Sequence, residues 1–151
     1  MRFTNELAAL ASMLALAASG CGSDGGSAPI EPRCLPAPGP TDCPALYQPT
    51  FANVFQNTLE KHCAVTGCHV EPNPTGGMAL DDFGTAYDNL VNKKSANGEP
   101  RVKPADVQCG KLIVRLSSVD EPWSMPPGSG SHLMATELCS IRQWIANGAT
   151  K

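Results

Sequence analysis

Two cysteines close in sequence, with a histidine directly after the second, constrain this chain more than any other feature. Cys63 and Cys68 are separated by four residues, and His69 follows at once. Thiols and imidazoles close disulfides, hold metal ions and anchor prosthetic groups. Each of these roles would fix the backbone of residues 63–69, so the rest of the fold has to be built around this segment.

Two interpretations of the segment need only its own side chains. Cys63 and Cys68 could close a local disulfide. With His62 and His69 they also make four donors within eight residues, a set that zinc accepts. Neighbouring residues on a helix point about 100° apart, however, and structural zinc sites more often use two separated pairs of donors. Both interpretations stay open as alternatives.

The same residues resemble the attachment site of a c-type haem, usually Cys-x-x-Cys-His, here with a longer spacer. Over roughly residues 50–148 the chain resembles the small monohaem cytochrome c domain of bacterial lipoproteins. This resemblance implies thioether bonds from Cys63 and Cys68 to one haem c and an iron ligand in His69. It also implies a small all-α fold whose first and last helices cross. The implied role is single-electron transfer between redox partner proteins, with the chain acting as a carrier and not as a catalyst.

A second axial ligand is implied by a methionine before two prolines. Met125 follows a predicted helix, as does the sixth-ligand loop of cytochromes c, and Pro126 restrains it to extended conformations. A thioether is a soft iron ligand that raises the reduction potential relative to two histidines. The rival ligands are His132, Met134 and Met78. Any of these methionines could instead fill the core.

The N-terminal third predicts export. Residues 7–18 are almost entirely apolar but too few to span a bilayer, so 1–20 is interpreted as a signal peptide. Small residues before Cys21 resemble a lipobox, which predicts lipidation of Cys21 and a membrane anchor; an ordinary cleavage site is the alternative. Residues 21–48, rich in Gly, Ser and Pro, are predicted to be a flexible tether. The folded domain is predicted over 49–151.

The remaining cysteines predict disulfides, because thiols usually pair in exported proteins. Of seven cysteines, one is assigned to the lipid and two to the haem, which leaves Cys34, Cys43, Cys109 and Cys139. Four cysteines allow three pairings. Locality in the sequence favours Cys34–Cys43 and Cys109–Cys139.

Apolar residues recur at helical spacing in four segments, and no convincing strand is found. The aromatic faces of the first and last segments predict that these two helices pack together. By pattern alone the helices could also pack without any cofactor. The predicted helices are 50–62, 81–92, 105–117 and 135–147. Thr50 is predicted to cap the first, and Gly148 is predicted to end the last.

Charge indicates no nucleic-acid partner, because the net charge is −3 and no basic stripe carries interleaved aromatic residues. A basic stretch from Lys93 to Lys103, including Arg101, is interpreted as a solvated loop, or as a surface that steers an acidic redox partner. The adjacent carboxylates Asp81 and Asp82 do not converge on a substrate and are interpreted as solvated side chains, with a helix cap as the alternative role. Two other functions stay open: a disulfide-stapled interaction module without haem, and a haem enzyme or sensor with an open iron site.

Overall fold

The computed structural model describes residues 29–128, 130 and 132–151, and within them the fold is all-α, as predicted. The described part of the chain holds four helices and no strand beyond two isolated bridges. The predicted signal peptide and Cys21 lie outside it. The helices are α1 (Phe51–Val54, continued as a π-helix over Phe55–Cys63), α2 (Phe83–Tyr87, continued as a π-helix over Asp88–Asn92), α3 (Lys111–Ser117) and α4 (Ala135–Ala146), with a 3₁₀ turn at Thr75–Gly77.

Capping residues set the ends of three helices where the sequence predicts them. The Thr50 hydroxyl accepts a hydrogen bond from the backbone N–H of Asn53, and the Asp82 carboxylate accepts one from that of Thr85. Both satisfy a backbone donor that the first helical turn leaves unpaired. At the end of α4, Gly148 has a φ of 93°, the left-handed conformation that glycine adopts without a Cβ clash.

Helices α1 and α4 are in contact through their aromatic faces, which confirms that prediction. Phe51 and Trp144 are fully buried, with ring centroids 5.4 Å apart. Phe55 belongs to the same apolar cluster and packs edge-on against Phe83. Because α1 ends at Cys63, this contact also fixes the start of the Cys63–His69 segment.

Replacing Trp144 with alanine should destabilise the fold by about 3–5 kcal/mol, because it removes the largest fully buried side chain and leaves a cavity. The midpoint of urea unfolding should fall while its slope stays unchanged. The exposed Val119→Ala is the control and should cost little. A loss below about 1 kcal/mol for Trp144→Ala would show that the α1–α4 contact does not hold the core together.

The third helix begins later than its apolar spacing predicts. It covers Lys111–Ser117, and residues 105–110 are not helical. The Asp106 carboxylate accepts hydrogen bonds from the backbone N–H groups of Gln108 and Cys109, which competes with helix formation. Gly110 has a φ of 108°, and a Cβ there would lie 3.3 Å from the Arg101 carbonyl oxygen. A right-handed helix therefore cannot start before Lys111.

The four predicted half-cystines form disulfides, but the predicted pairing is wrong. The bonds join Cys34 to Cys109 and Cys43 to Cys139, across 75 and 96 residues. The prediction that cysteines close in sequence would pair is wrong because the Pro-rich segment lies along the domain instead of folding on itself. In the chain-entropy model, loops of this length make each bond worth roughly 4–5 kcal/mol. The two disulfides indicate an oxidising compartment outside the cytoplasm.

Residues 29–48 belong to the domain, so the predicted tether boundary at residue 48 has to be corrected. The backbone N–H groups of Leu35 and Leu46 donate to the carbonyls of Gln108 and Thr136, respectively. Tyr47 packs against the core. A proline-rich segment forms few hydrogen bonds within its own backbone. Its backbone N–H and C=O groups therefore bond to the helical domain. In the described residues, no helix has the length and hydropathy needed to cross a membrane.

Candidate functional site

His69 is buried beside the end of α1 with one ring nitrogen already engaged. Its backbone N–H donates to the carbonyl of Cys63, which closes the turn between them. The ring Nδ1 lies 3.0 Å from the Thr75 carbonyl oxygen and 3.2 Å from that of Met78. Since a carbonyl only accepts, Nδ1 carries the hydrogen, and Nε2 keeps a lone pair in the neutral ring.

The electrostatic surroundings keep the His69 ring neutral. Burial lowers the pKa of His69, the two hydrogen bonds from Nδ1 oppose that shift, and Arg115 and Arg101 lower the pKa further. The net direction is downward. A neutral imidazole with a free lone pair at Nε2 is the form that binds metal ions.

An apolar cavity of about 330 Å³ lies next to His69. A smaller space of about 30 Å³ adjoins the same residues. Cys63, His69, Thr75 and Met125 line both, so the motif segment and the Met-Pro loop meet there. Apart from these, the larger cavity is lined by apolar side chains (Leu59, Met78, Leu80, Leu90, Ala96, Leu112, Leu116), by small or polar residues (Gly76, Ser95, Asn97) and by charged residues (Glu31, Arg101, Lys111, Arg115).

The local Cys63–Cys68 disulfide considered as an alternative is not formed. Burial raises the pKa of Cys63 to about 12, and the neighbouring charges of Cys68 and Glu137 add to the rise. The Cys63 thiol is therefore protonated at neutral pH. Within the described residues, no three His, Cys, Asp or Glu side chains are close enough to hold a metal ion.

Met125 is held at the cavity by the end of α3. Its backbone N–H donates to the Arg115 carbonyl at 3.1 Å. The buried Ser124 beside it accepts a hydrogen bond from the N–H of Glu121. Of the rival ligands, Met78 also lines the larger cavity, whereas His132 and Met134 are exposed and line neither space. The structure thus brings together His69 with Met125 and Met78.

A buried hydrogen-bond chain fixes α1 against α4 behind Cys63. The Tyr47 hydroxyl lies 2.6 Å from Thr58 Oγ1, and the Thr58 hydroxyl donates to Glu137 Oε1 at 3.1 Å. Glu137 is almost fully buried, and its Oε1 also lies 3.4 Å from His62 Nε2. Burial raises the pKa of Tyr47 to about 12, so its phenol stays protonated. His62 therefore contacts α4, and it also lines the smaller space beside His69.

One wall of the cavity is cationic, and the sequence pattern does not reveal it. Arg101, interpreted from sequence as part of a solvated loop, is 8% exposed. Lys111 and Arg115 extend from α3, and both bind the carboxylate of Glu31. We call Arg101, Lys111 and Arg115 the cationic wall. Charged residues spaced four apart on a helix are usually solvated, so nothing local distinguishes these from a surface face.

Stability should depend on pH through Glu31. Burial alone would raise the pKa of Glu31, but the hydrogen bonds and charges of Arg115 and Lys111 outweigh it, and the pKa is lowered. A carboxylate with a lowered pKa stabilises the fold above its unfolded pKa of about 4.3, and this contribution is lost as pH falls through the folded value. We therefore expect wild type to have a larger free energy of unfolding than Glu31→Gln at pH 7. This difference in free energy should become smaller below about pH 4.3.

Urea unfolding of both proteins at pH 7 and below about pH 4.3 measures the difference. A difference that does not change with pH would contradict the stabilising role of the Glu31 carboxylate.

No protein-family model matches this chain, and comparisons with curated proteins and with solved structures found no match either. The chemistry of the cavity therefore has to be inferred from its own side chains. These are a neutral histidine with an available nitrogen, a thioether, a thiol and a cationic wall, around an apolar space.

Proposed function

We propose that this protein is an exported electron carrier of the monohaem cytochrome c type, with one covalent haem c. The observation that carries the proposal is the meeting of Cys63, His69 and Met125 at one apolar cavity, although 55 residues or more separate Met125 from the other two. A soft thioether and an imidazole on a shared cavity are the ligand pair of high-potential c-type cytochromes.

The cavity residues fit such a group in three respects. The volume of about 330 Å³ is within the range of cofactor pockets, about 300–1,000 Å³. Five leucines line the cavity among other apolar side chains, which suits a flat apolar macrocycle. The cationic wall offers partners for the two carboxylate arms that a haem carries.

A bound haem would supply a one-electron redox couple, and the chain's residues would control it. The carbonyls of Thr75 and Met78 hold the Nδ1–H of His69, which orients the ring and raises the basicity of Nε2. Hydrogen bonds from the Met125 loop to α3 would keep the thioether in place. The surrounding leucines would exclude water, which favours the less charged state of the iron and leaves little to reorganise during electron transfer.

A pyridine haemochrome spectrum tests this function, with the full chain exported in a host that has a haem-attachment system. The expected spectrum is that of haem c, and the intact mass should exceed the mature polypeptide by one haem after denaturation. A colourless protein of unmodified mass would overturn the proposal in favour of a disulfide-stapled interaction module. Carbon monoxide binding by the untreated reduced protein would instead indicate an open iron site, as in a haem enzyme or sensor.

Membrane attachment through Cys21 belongs to the same proposal. The apolar run and the small residues before Cys21 support it, and residues 21–28 would then separate the lipid from the domain. Radiolabelled palmitate should enter the wild-type protein and should be absent from Cys21→Ser. Cys43→Ser is a matched control that should label normally. Equal labelling of Cys21→Ser would exclude lipidation at this residue.

A further inference from the structure

The cationic wall already has a carboxylate bound to it, and that carboxylate comes from the chain itself. Glu31 Oε1 accepts a hydrogen bond from Arg115 Nε at 2.8 Å, and Oε2 accepts one from Arg115 Nη2 at 2.9 Å. Oε2 also lies 2.9 Å from Lys111 Nζ. All three residues line the cavity. This two-pronged contact is the geometry with which arginine recognises a carboxylate ligand.

The wall is not neutralised by Glu31 alone. Among the described residues, two carboxylates, Glu31 from the cavity lining and Glu99 from outside it, contact Arg115 and Lys111, and the third cation, Arg101, lies beside them. Arg101 donates to the carbonyls of Asn89 and Gly76, at 2.9 and 3.3 Å, and has no carboxylate partner among the described residues. A buried guanidinium bound only to neutral acceptors keeps an unbalanced charge. The wall therefore favours a further anionic group.

Glu31 reaches the wall on a strap, which we define as residues 29–35. The Cys34–Cys109 disulfide joins the strap to the residues just before α3. Hydrogen bonds from Leu35 N–H to Gln108 and from Gly110 N–H to Arg33 add to this attachment. Because Glu31 is three residues from Cys34, the cross-link keeps its carboxylate at a high effective concentration beside Lys111 and Arg115.

We propose that Glu31 is a built-in competitor for the carboxylates of the ligand that fills this cavity, and that the Cys34–Cys109 disulfide sets the strength of the competition. The ligand class is an apolar molecule that carries a carboxylate. The inference rests on the proposed function only where it names haem, whose two carboxylate arms would meet this wall. While Glu31 is bound to Arg115 and Lys111, the carboxylate of an incoming ligand can pair only with Arg101. When the strap leaves, Arg115 becomes available beside Arg101, and Lys111 keeps its contact with Glu99.

Calorimetry with dodecanoate tests the competition, with dodecanol as its uncharged counterpart. The oxidised full chain is used, exported in a host without haem attachment, so that the outcome is independent of the haem test. Glu31→Gln should bind dodecanoate about tenfold more tightly than wild type, the effect of one charge-assisted hydrogen bond. Dodecanol affinity should stay unchanged. Glu60→Gln is the matched control, because Glu60 is exposed and lines neither cavity space.

The disulfides supply a second comparison that leaves Glu31 in place. Cys34→Ser with Cys109→Ser should tighten dodecanoate binding as Glu31→Gln does, since the strap is released. Cys43→Ser with Cys139→Ser also removes one disulfide but leaves the strap attached, and it should bind like wild type. Equal dodecanoate affinities in wild type, Glu31→Gln and Glu60→Gln would overturn the proposal. An equal gain for dodecanol would do so as well, because it would reflect a looser cavity and not a freed charge.

Discussion

Replacing Cys63 and Cys68 together with serine should remove all covalently bound haem from the exported protein. Serine is close to cysteine in shape, but its hydroxyl does not form the thioether bond. Cys63 lines the cavity beside His69, so its sulfur is close enough to bond to a group that occupies the cavity. The intact mass of the denatured variant should equal the mature polypeptide, and its haemochrome spectrum should be blank.

The matched control removes two other cysteines. Cys43→Ser with Cys139→Ser breaks the bond between the N-terminal segment and α4 and leaves the cavity residues untouched. This variant should be less stable but should still carry one haem. If the Cys63 and Cys68 variant retains the added mass, the attachment site is elsewhere. Single variants should each keep one thioether, so the haem should remain attached to the denatured chain.

Replacing Met125 with alanine should open the iron site and lower the reduction potential. The Met125 loop is fixed to the Arg115 carbonyl, and its side chain lines both cavity spaces with His69. Removing a soft thioether ligand destabilises the reduced iron relative to the oxidised iron. The reduced variant should bind carbon monoxide, the oxidised variant should bind cyanide, and the weak near-infrared band of the sulfur–iron(III) bond should disappear.

Two other methionines and one histidine provide the comparison. Met134→Ala and His132→Ala should leave the potential and the near-infrared band unchanged, because both residues are exposed and line neither space. Met78→Ala is the stricter test, since Met78 lines the larger cavity. If Met78→Ala opens the iron and Met125→Ala is silent, Met78 is the ligand. If His132→Ala opens the iron instead, the site has two histidines.

Local sequence signals predicted the helices well where capping and periodicity agreed. The side chains of Thr50 and Asp82 accept hydrogen bonds from backbone N–H groups three residues later. Gly148 ends α4 with a positive φ. The apolar faces of α1 and α4 likewise predicted their contact, because a helix of this length needs a partner to bury such a face. The start of α3 was predicted too early, because apolar spacing does not register the positive φ of Gly110.

Pairings between distant residues depended on tertiary structure. Composition indicates that residues 29–48 lack a core of their own, but not that they lie along the domain, and the wrong disulfide pairing followed from that. The meeting of Met125 with His69 at one cavity was implied only by resemblance. The cationic wall was missed, because Arg101, Lys111 and Arg115 look like solvated charges until the chain brings Glu31 to them.

Neighbours within a few residues are enough to define the four helices, the cysteines available for disulfides and the thiol–imidazole segment at the end of α1. The pairing of the cysteines, the methionines that reach His69 and the burial of particular charges depend on the folded chain. The reason is physical: these choices follow from packing between segments up to about a hundred residues apart, and no local propensity encodes such a contact.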